Sequence, residues 1–113
     1  YRSKKLSPVE ATDAVIARIE KWEPKLKALY APDFGSARRA ASESEKRWAK
    51  AAPLGALDGV PATIKENIAT KGVPVPLGTA ATDLVPAAAD APAAARLREA
   101  GAVILAKTTM PDY

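Results

Sequence analysis

Near the start of the chain, apolar residues recur at close to helical spacing. Val9, Val15, Ile16, Ile19 and Trp22 fall near one face, while Asp13, Arg18, Glu20 and Lys21 fall largely elsewhere, the pattern of a helix docked by one side. Ser7-Pro8-Val9-Glu10 supplies its start, with Ser7 as N-cap, Pro8 in the first helical position and Glu10 as the reciprocal partner of a capping box. Pro24 is expected to end this helix. Leu26 to Tyr30, apolar or aromatic but for Lys27, predicts a short strand, and Pro32-Asp33 is a break. Ser36 to Ala51, rich in alanine and charge, predicts a second helix with Trp48 on its buried side.

The pattern changes at Pro53. Pro53 to Gly59 carries turn chemistry, including an Asp-Gly pair, and Val60 to Ile64 is a short apolar run cut off by Lys65-Glu66-Asn67. Lys71 to Ala89 contains Pro74, Pro76 and Pro86 with Gly72 and Gly78. That excludes a regular helix or central strand and predicts a long ordered loop. Asp90-Ala91-Pro92 opens another helix, with Asp90 expected as N-cap and Gly101 as the glycine that closes it. Val103-Ile104-Leu105 follows as a fully buried strand. Helix, glycine and continuous apolar strand together are the rhythm of an α/β protein whose helices cover a sheet.

Composition qualifies this picture. Of the 113 residues 48% are apolar, but 26 are alanine, and Leu, Ile, Val and Phe total only 22. A chain this small and this poor in large apolar residues is not expected to complete a core alone. With the start at Tyr1 and the stop at Tyr113, the thin core reads as a fragment of a longer protein. The net charge of +4 comes mainly from residues 2–50, where basic and acidic residues mix on the helices. Mixed signs without interleaved aromatics read as solvated faces, not a nucleic-acid stripe. No apolar run approaches a membrane span and no signal-peptide pattern opens the chain, so a cytoplasmic protein is expected.

Cysteine and histidine are absent. A thiol nucleophile, a disulfide framework and a Ser-His-Asp triad are therefore excluded from this stretch, and no metal-ligand spacing or phosphate loop is present. Neither cofactor nor metal is expected. Asp58, Glu66, Asp83 and Asp90 are scattered through turns and caps rather than paired for acid–base work. Two lysines remain as candidates. Lys65 follows Val60-Pro61-Ala62-Thr63-Ile64 and Lys107 follows Val103-Ile104-Leu105-Ala106, each at the exit of an apolar strand. Such a lysine is either solvated at the sheet's edge or held in a site, where partial burial disfavours the ammonium form and favours basicity.

Pro53-Leu54-Gly55-Ala56-Leu57-Asp58-Gly59-Val60-Pro61-Ala62-Thr63-Ile64-Lys65-Glu66-Asn67-Ile68 resembles the lysine segment of the amidase-signature family, "GPLxGIPVxIKDNI" in outline. Lys71-Gly72 and Gly78-Thr79 fit the loop that follows it. The run from Arg96 to Thr108 resembles the family's "LRxAGAVILGKTN", and the opening helix also fits, so the resemblance covers essentially the whole chain. Ala62, Glu66 and Ala106 depart mildly from the family's usual larger aliphatic, Asp and Gly.

The resemblance implies the N-terminal part of a mixed β-sheet covered by helices, with residues 1–52 a helical region and 53–113 the first part of the α/β core, ending before the serine motif. It implies a hydrolase with a Ser-cisSer-Lys triad in which Lys65 is the catalytic lysine, both serines lie beyond Tyr113, and Lys107 is supporting structure. The expected reaction converts a small-molecule carboxamide into acid plus ammonia or amine. The expected partners are that substrate and the remainder of the protein's own chain, with no nucleic acid and no membrane; no oligomeric state is implied, and the segment alone is expected to be inactive. Two alternatives stand beside the stand-alone amidase. One is the amidase subunit of glutamyl-tRNA(Gln) amidotransferase, from whose usual pattern Val73-Pro74-Val75-Pro76-Leu77 and Thr109-Met110-Pro111-Asp112-Tyr113 depart. The other is a non-catalytic remnant or split piece that docks on a partner.

Overall fold

Helix α1 (Pro8–Leu26) begins as its sequence dictates: Ser7 Oγ accepts the Glu10 N–H at 3.1 Å, and Glu10 accepts the Ser7 N–H at 2.8 Å. In this computed structural model, which describes residues 1–111, α1 does not stop at Pro24. Pro24 takes a donor from the ladder and its ring crowds the Glu20 carbonyl, yet the helix carries on for two more residues. Lys27 ends the helix in the left-handed region (φ 48°), its N–H donating to Glu23 O. Because Leu26 is helical and Lys27 is the cap, the strand expected over Leu26–Tyr30 shrinks to β1 (Leu29–Tyr30).

Helix α2 (Phe34–Ala49) starts two residues earlier than expected because Asp33 is its N-cap, accepting the Ser36 N–H at 2.9 Å. Its buried face is Ala37, Ala41 and Ser44, small side chains that let the backbone approach α1 at Thr12 and Ile16. Trp48 is only half-buried, and its indole N–H donates to Asp58 O at 3.0 Å. Strand β2 (Pro61–Lys65), helix α3 (Pro92–Glu99) and strand β3 (Val103–Thr108) complete the order. Asp90 is not the cap of α3; Ala91 occupies that position without a side-chain bond. The Asp90 carboxylate is instead engaged by the Lys71 N–H and by Arg98 Nε, both at 2.7 Å, so it ties the long loop to the helix. Gly101 lies just past the α3 cap, as expected, with φ 82°.

The sheet has the order β1-β3-β2, with β3 antiparallel to β1 and parallel to β2. The mixed α/β class is therefore as expected. The core joins Ile16, Ala37 and Ala41 of the helices to Val103, Leu105 and Ala106 of β3, so it straddles the junction between residues 1–52 and the rest. β3 is the buried central strand that its apolar run predicts. β2 is an edge strand, and of its residues only Ile64 is fully buried while Thr63 and Lys65 are exposed. The loop over Lys71–Ala89 is ordered by two isolated bridges, Thr70 with Val73 and Pro74 with Pro86. Among the described residues no helix is long and apolar enough to cross a membrane. Asp112 and Tyr113, the end of one departure noted above, lie outside them.

Candidate functional site

The two lysines share a sequence context but not a fate, and a β-bulge separates them. Pro61 and Ala62 pair with Val103 and Ile104, but Thr63, Ile64 and Lys65 pair with Ala106, Lys107 and Thr108, leaving Leu105 as the extra residue on β3. A one-residue offset flips every later side chain to the opposite face. Without it Lys107 would stand beside Lys65. With it, Lys65 shares a face with Thr108 and Leu29, while Lys107 shares the other with Ile64 and Tyr30. Lys65 is exposed at the C-terminal end of β2. Lys107 is 2% exposed.

The buried face is closed by polar contacts around the turn that follows Lys65. The Ile68 N–H donates to Lys65 O at 3.0 Å, closing residues 65–68 as a turn, and the Glu66 N–H donates to Thr108 O at 3.0 Å. Lys107 Nζ crosses to the same turn and donates to Ile68 O at 2.8 Å. Glu66 is buried, and its Oε1 accepts the Gly78 N–H at 2.7 Å, pulling in the loop. Gly78 (φ 72°) is obligatory there, since a Cβ would lie 2.5 Å from Pro111 O. Burial lowers the Lys107 pKa from its ordinary value, and the negative charge of Glu66 opposes that shift.

Asp58 anchors the other end of β2. It is fully buried, with Arg47 Nε and Nη2 at 2.9 and 2.7 Å and the Leu54 N–H at 2.9 Å. Burial pushes its pKa up, but the Arg47 fork and the Leu54 N–H outweigh that and hold the carboxyl below its usual range. The arrangement is structural: it pins the turn before β2 to α2. Sequence reading placed Asp58 in an Asp-Gly turn and missed its guanidinium partner, which sits on a different element. It also treated Glu66 as a mild family departure; the one local cue was its position next to Lys65.

A cleft of about 470 Å³ opens beside Glu66 and Gly78, lined also by Tyr30, Pro76, Thr79 and Met110. It lies toward the Lys107 face, and Lys65 does not line it. Apolar grooves of similar size flank α1 and β1, and neither lysine lines them. No group of His, Cys, Asp or Glu among the described residues could hold a metal ion. The structure thus offers one accessible amine at a strand end, held in place by a turn, and one buried amine beneath that turn.

The family model described as Amidase matches residues 10–113. The indoleacetamide hydrolase of Bradyrhizobium diazoefficiens is 37% identical over 112 residues, which are 99% of this chain and 21% of that protein. A glutamyl-tRNA(Gln) amidotransferase subunit of Geobacter metallireducens is 36% identical over 99% of this chain and 23% of its own length. Among solved structures, a bacterial aryl acylamidase of the amidase-signature enzymes matches with TM-score 0.84 at 26% identity, over 100% of this chain and 24% of that one. The peptide amidase of Stenotrophomonas maltophilia matches with TM-score 0.84 at 29% identity, over 95% and 22%. The chain therefore spans about a fifth to a quarter of the length of these relatives. Sequence and fold agree along almost all of the chain, which belongs to the amidase-signature family.

Proposed function

We propose that the full-length protein carrying these residues hydrolyses the C–N bond of a small-molecule carboxamide, with Lys65 as the base of a Ser-cisSer-Lys relay. The two serines lie outside these residues. The observation that carries this reading is the placement of Lys65: its side chain stands on an accessible face at the end of β2, while its neighbours Ile64 and Glu66 are buried and fix the backbone on either side. In the relay, the Lys65 amine accepts a proton from the cis-serine as that serine takes one from the nucleophilic serine. The nucleophile's Oγ bonds to the carbonyl carbon, the C–N bond breaks, and the leaving nitrogen receives the proton. Water then opens the acyl-enzyme ester to the carboxylic acid and frees the serine. Backbone N–H donors supply the oxyanion hole. On this reading residues 53–113 open the catalytic core, residues 1–52 brace it, and the protein works in the cytoplasm.

Lys65→Ala in the full-length protein tests the assignment. It should abolish amide hydrolysis while the variant still folds, which a cooperative melting transition checks. Near-normal turnover by the variant contradicts the role of Lys65.

A second reading is favoured by a specific observation: the amidotransferase subunit matches almost as well as the hydrolase, at 36% against 37% identity. In that role, the protein would release ammonia from glutamine for a partner enzyme. Ammonia release from simple aryl or alkyl carboxamides by the purified protein, with little from glutamine, supports the stand-alone amidase. The reverse preference supports the amidotransferase role.

A further inference from the structure

We infer that Lys107 is a positioning residue for Lys65, acting through the Ile68 carbonyl that its ammonium group holds. The inference rests on the role of Lys65 proposed above. Four segments meet at this point. The turn 65–68 is closed by the Ile68 N–H on Lys65 O, so any movement of Ile68 is passed directly to the backbone of Lys65. Lys107 Nζ bonds the carbonyl of that same Ile68 from below the sheet, 39 residues away in sequence. Thr70 Oγ1 donates to the same oxygen, at 3.3 Å. Glu66, adjacent to Lys65, sends its buried carboxylate to the Gly78 N–H and thereby draws in the loop, whose glycine packs against Met110 O and Pro111 O just after β3.

A lysine left only 2% exposed for a single carbonyl is costly to retain unless the geometry it enforces matters. A buried Met or Leu would fill the volume without the desolvation cost. The bulge at Leu105 exists on the same strand and serves the same end, since it alone directs Lys107 beneath the turn instead of beside Lys65. Glu66 supplies the opposite charge that makes the buried ammonium tolerable. The pair therefore fixes the backbone on which Lys65 is carried, through the Ile68 carbonyl and the Gly78 N–H.

The test compares Lys107→Met, Lys107→Gln and Lys65→Ala in the full-length protein, reading kcat, KM and thermal melting. A positional error near 1 Å at a reacting group lowers rate by on the order of 10²-fold. Lys107→Met, which keeps the volume but loses the donor, should lower kcat by roughly 10- to 100-fold with KM within about twofold. Lys107→Gln retains an N–H donor on a shorter arm and should recover part of that loss at equal stability. Folded Lys107→Met with wild-type kcat overturns the inference, provided that Lys65→Ala is inactive; the reading of Lys65 then stands alone. If Lys65→Ala keeps its turnover, the proposed function and this inference fall together. If neither Lys107 variant folds while Lys65→Ala does, Lys107 is a structural residue only and the inference is overturned.

Discussion

Asp58 shows how much one side chain can hold. It joins α2, the turn over residues 54–58 and the entry to β2 through the Arg47 fork and the Leu54 N–H. It also leaves no room at Gly101, where a Cβ would lie 2.5 Å from Asp58 Oδ1. Breaking a buried pair by removing one partner costs about 3–5 kcal/mol, and Asp58→Ala in the full-length protein should lose close to the lower end, because Arg47 keeps partial access to water. The sign of the pH dependence follows from the lowered carboxyl pKa. The folded value lies below the unfolded value of about 3.9. The stabilisation is therefore complete above about pH 4 and is lost as pH falls through the folded value. Urea melts of wild type and Asp58→Asn should differ at pH 7, and the gap should narrow as pH falls below about 4; a gap that stays constant with pH contradicts this account. The Asp-Gly turn was legible in the sequence. The Arg47 partnership was not, because it is made between elements whose docking no local pattern encodes.

At the scale of elements, helix boundaries were legible where their bonds are local and misread where a distant partner decides. Ser7, Pro8 and Glu10 form a cap whose bonds are all local, so the sequence contains the whole mechanism. Pro24 misleads because a proline marks only the neighbourhood of a helix end, and two residues follow it before the Lys27 cap. Asp90 misleads because its carboxylate finds Lys71 and Arg98, stronger or better placed partners than the α3 N-terminus. The central strand Val103–Thr108 was visible as an apolar run, but its bulge was not, since register is a property of two strands together. Two variants separate packing from register. Leu105→Ala keeps the register and should cost about 2–4 kcal/mol, the usual loss for a buried leucine. Deleting Leu105 removes the bulge, aligns Lys107 with Lys65 and breaks the Lys107 bond to Ile68; the full-length protein should then fail to fold or lose activity entirely. A deletion variant with wild-type melting and turnover contradicts the role given to the bulge.

Across the whole molecule, the core is thin in the way the alanine-rich composition implied. Among the described residues its main cluster has six buried members, three of them alanines, while Leu26, Leu84 and Val85 are 65–70% exposed and Trp22 is 39% exposed. Apolar surface of that extent asks for further protein to cover it, in keeping with a chain that spans only 21–24% of its relatives' length. Residues 1–113 expressed alone should show no cooperative melting transition and should aggregate; a sharp two-state transition contradicts that expectation. The family was legible from two ordered motifs, because they encode a strand exit and a helix–glycine–strand passage that the fold retains. The openness of the Lys65 face was not, because it depends on what lies across from β2. The most direct test of the central claim is ammonia release from a panel of primary carboxamides by full-length wild type and Lys65→Ala, with melting curves for both. The account predicts a cooperative melting transition for both proteins and a loss of turnover of at least roughly 10³-fold in the variant. Matching turnover in two equally folded proteins would contradict it and remove Lys65 from the chemistry.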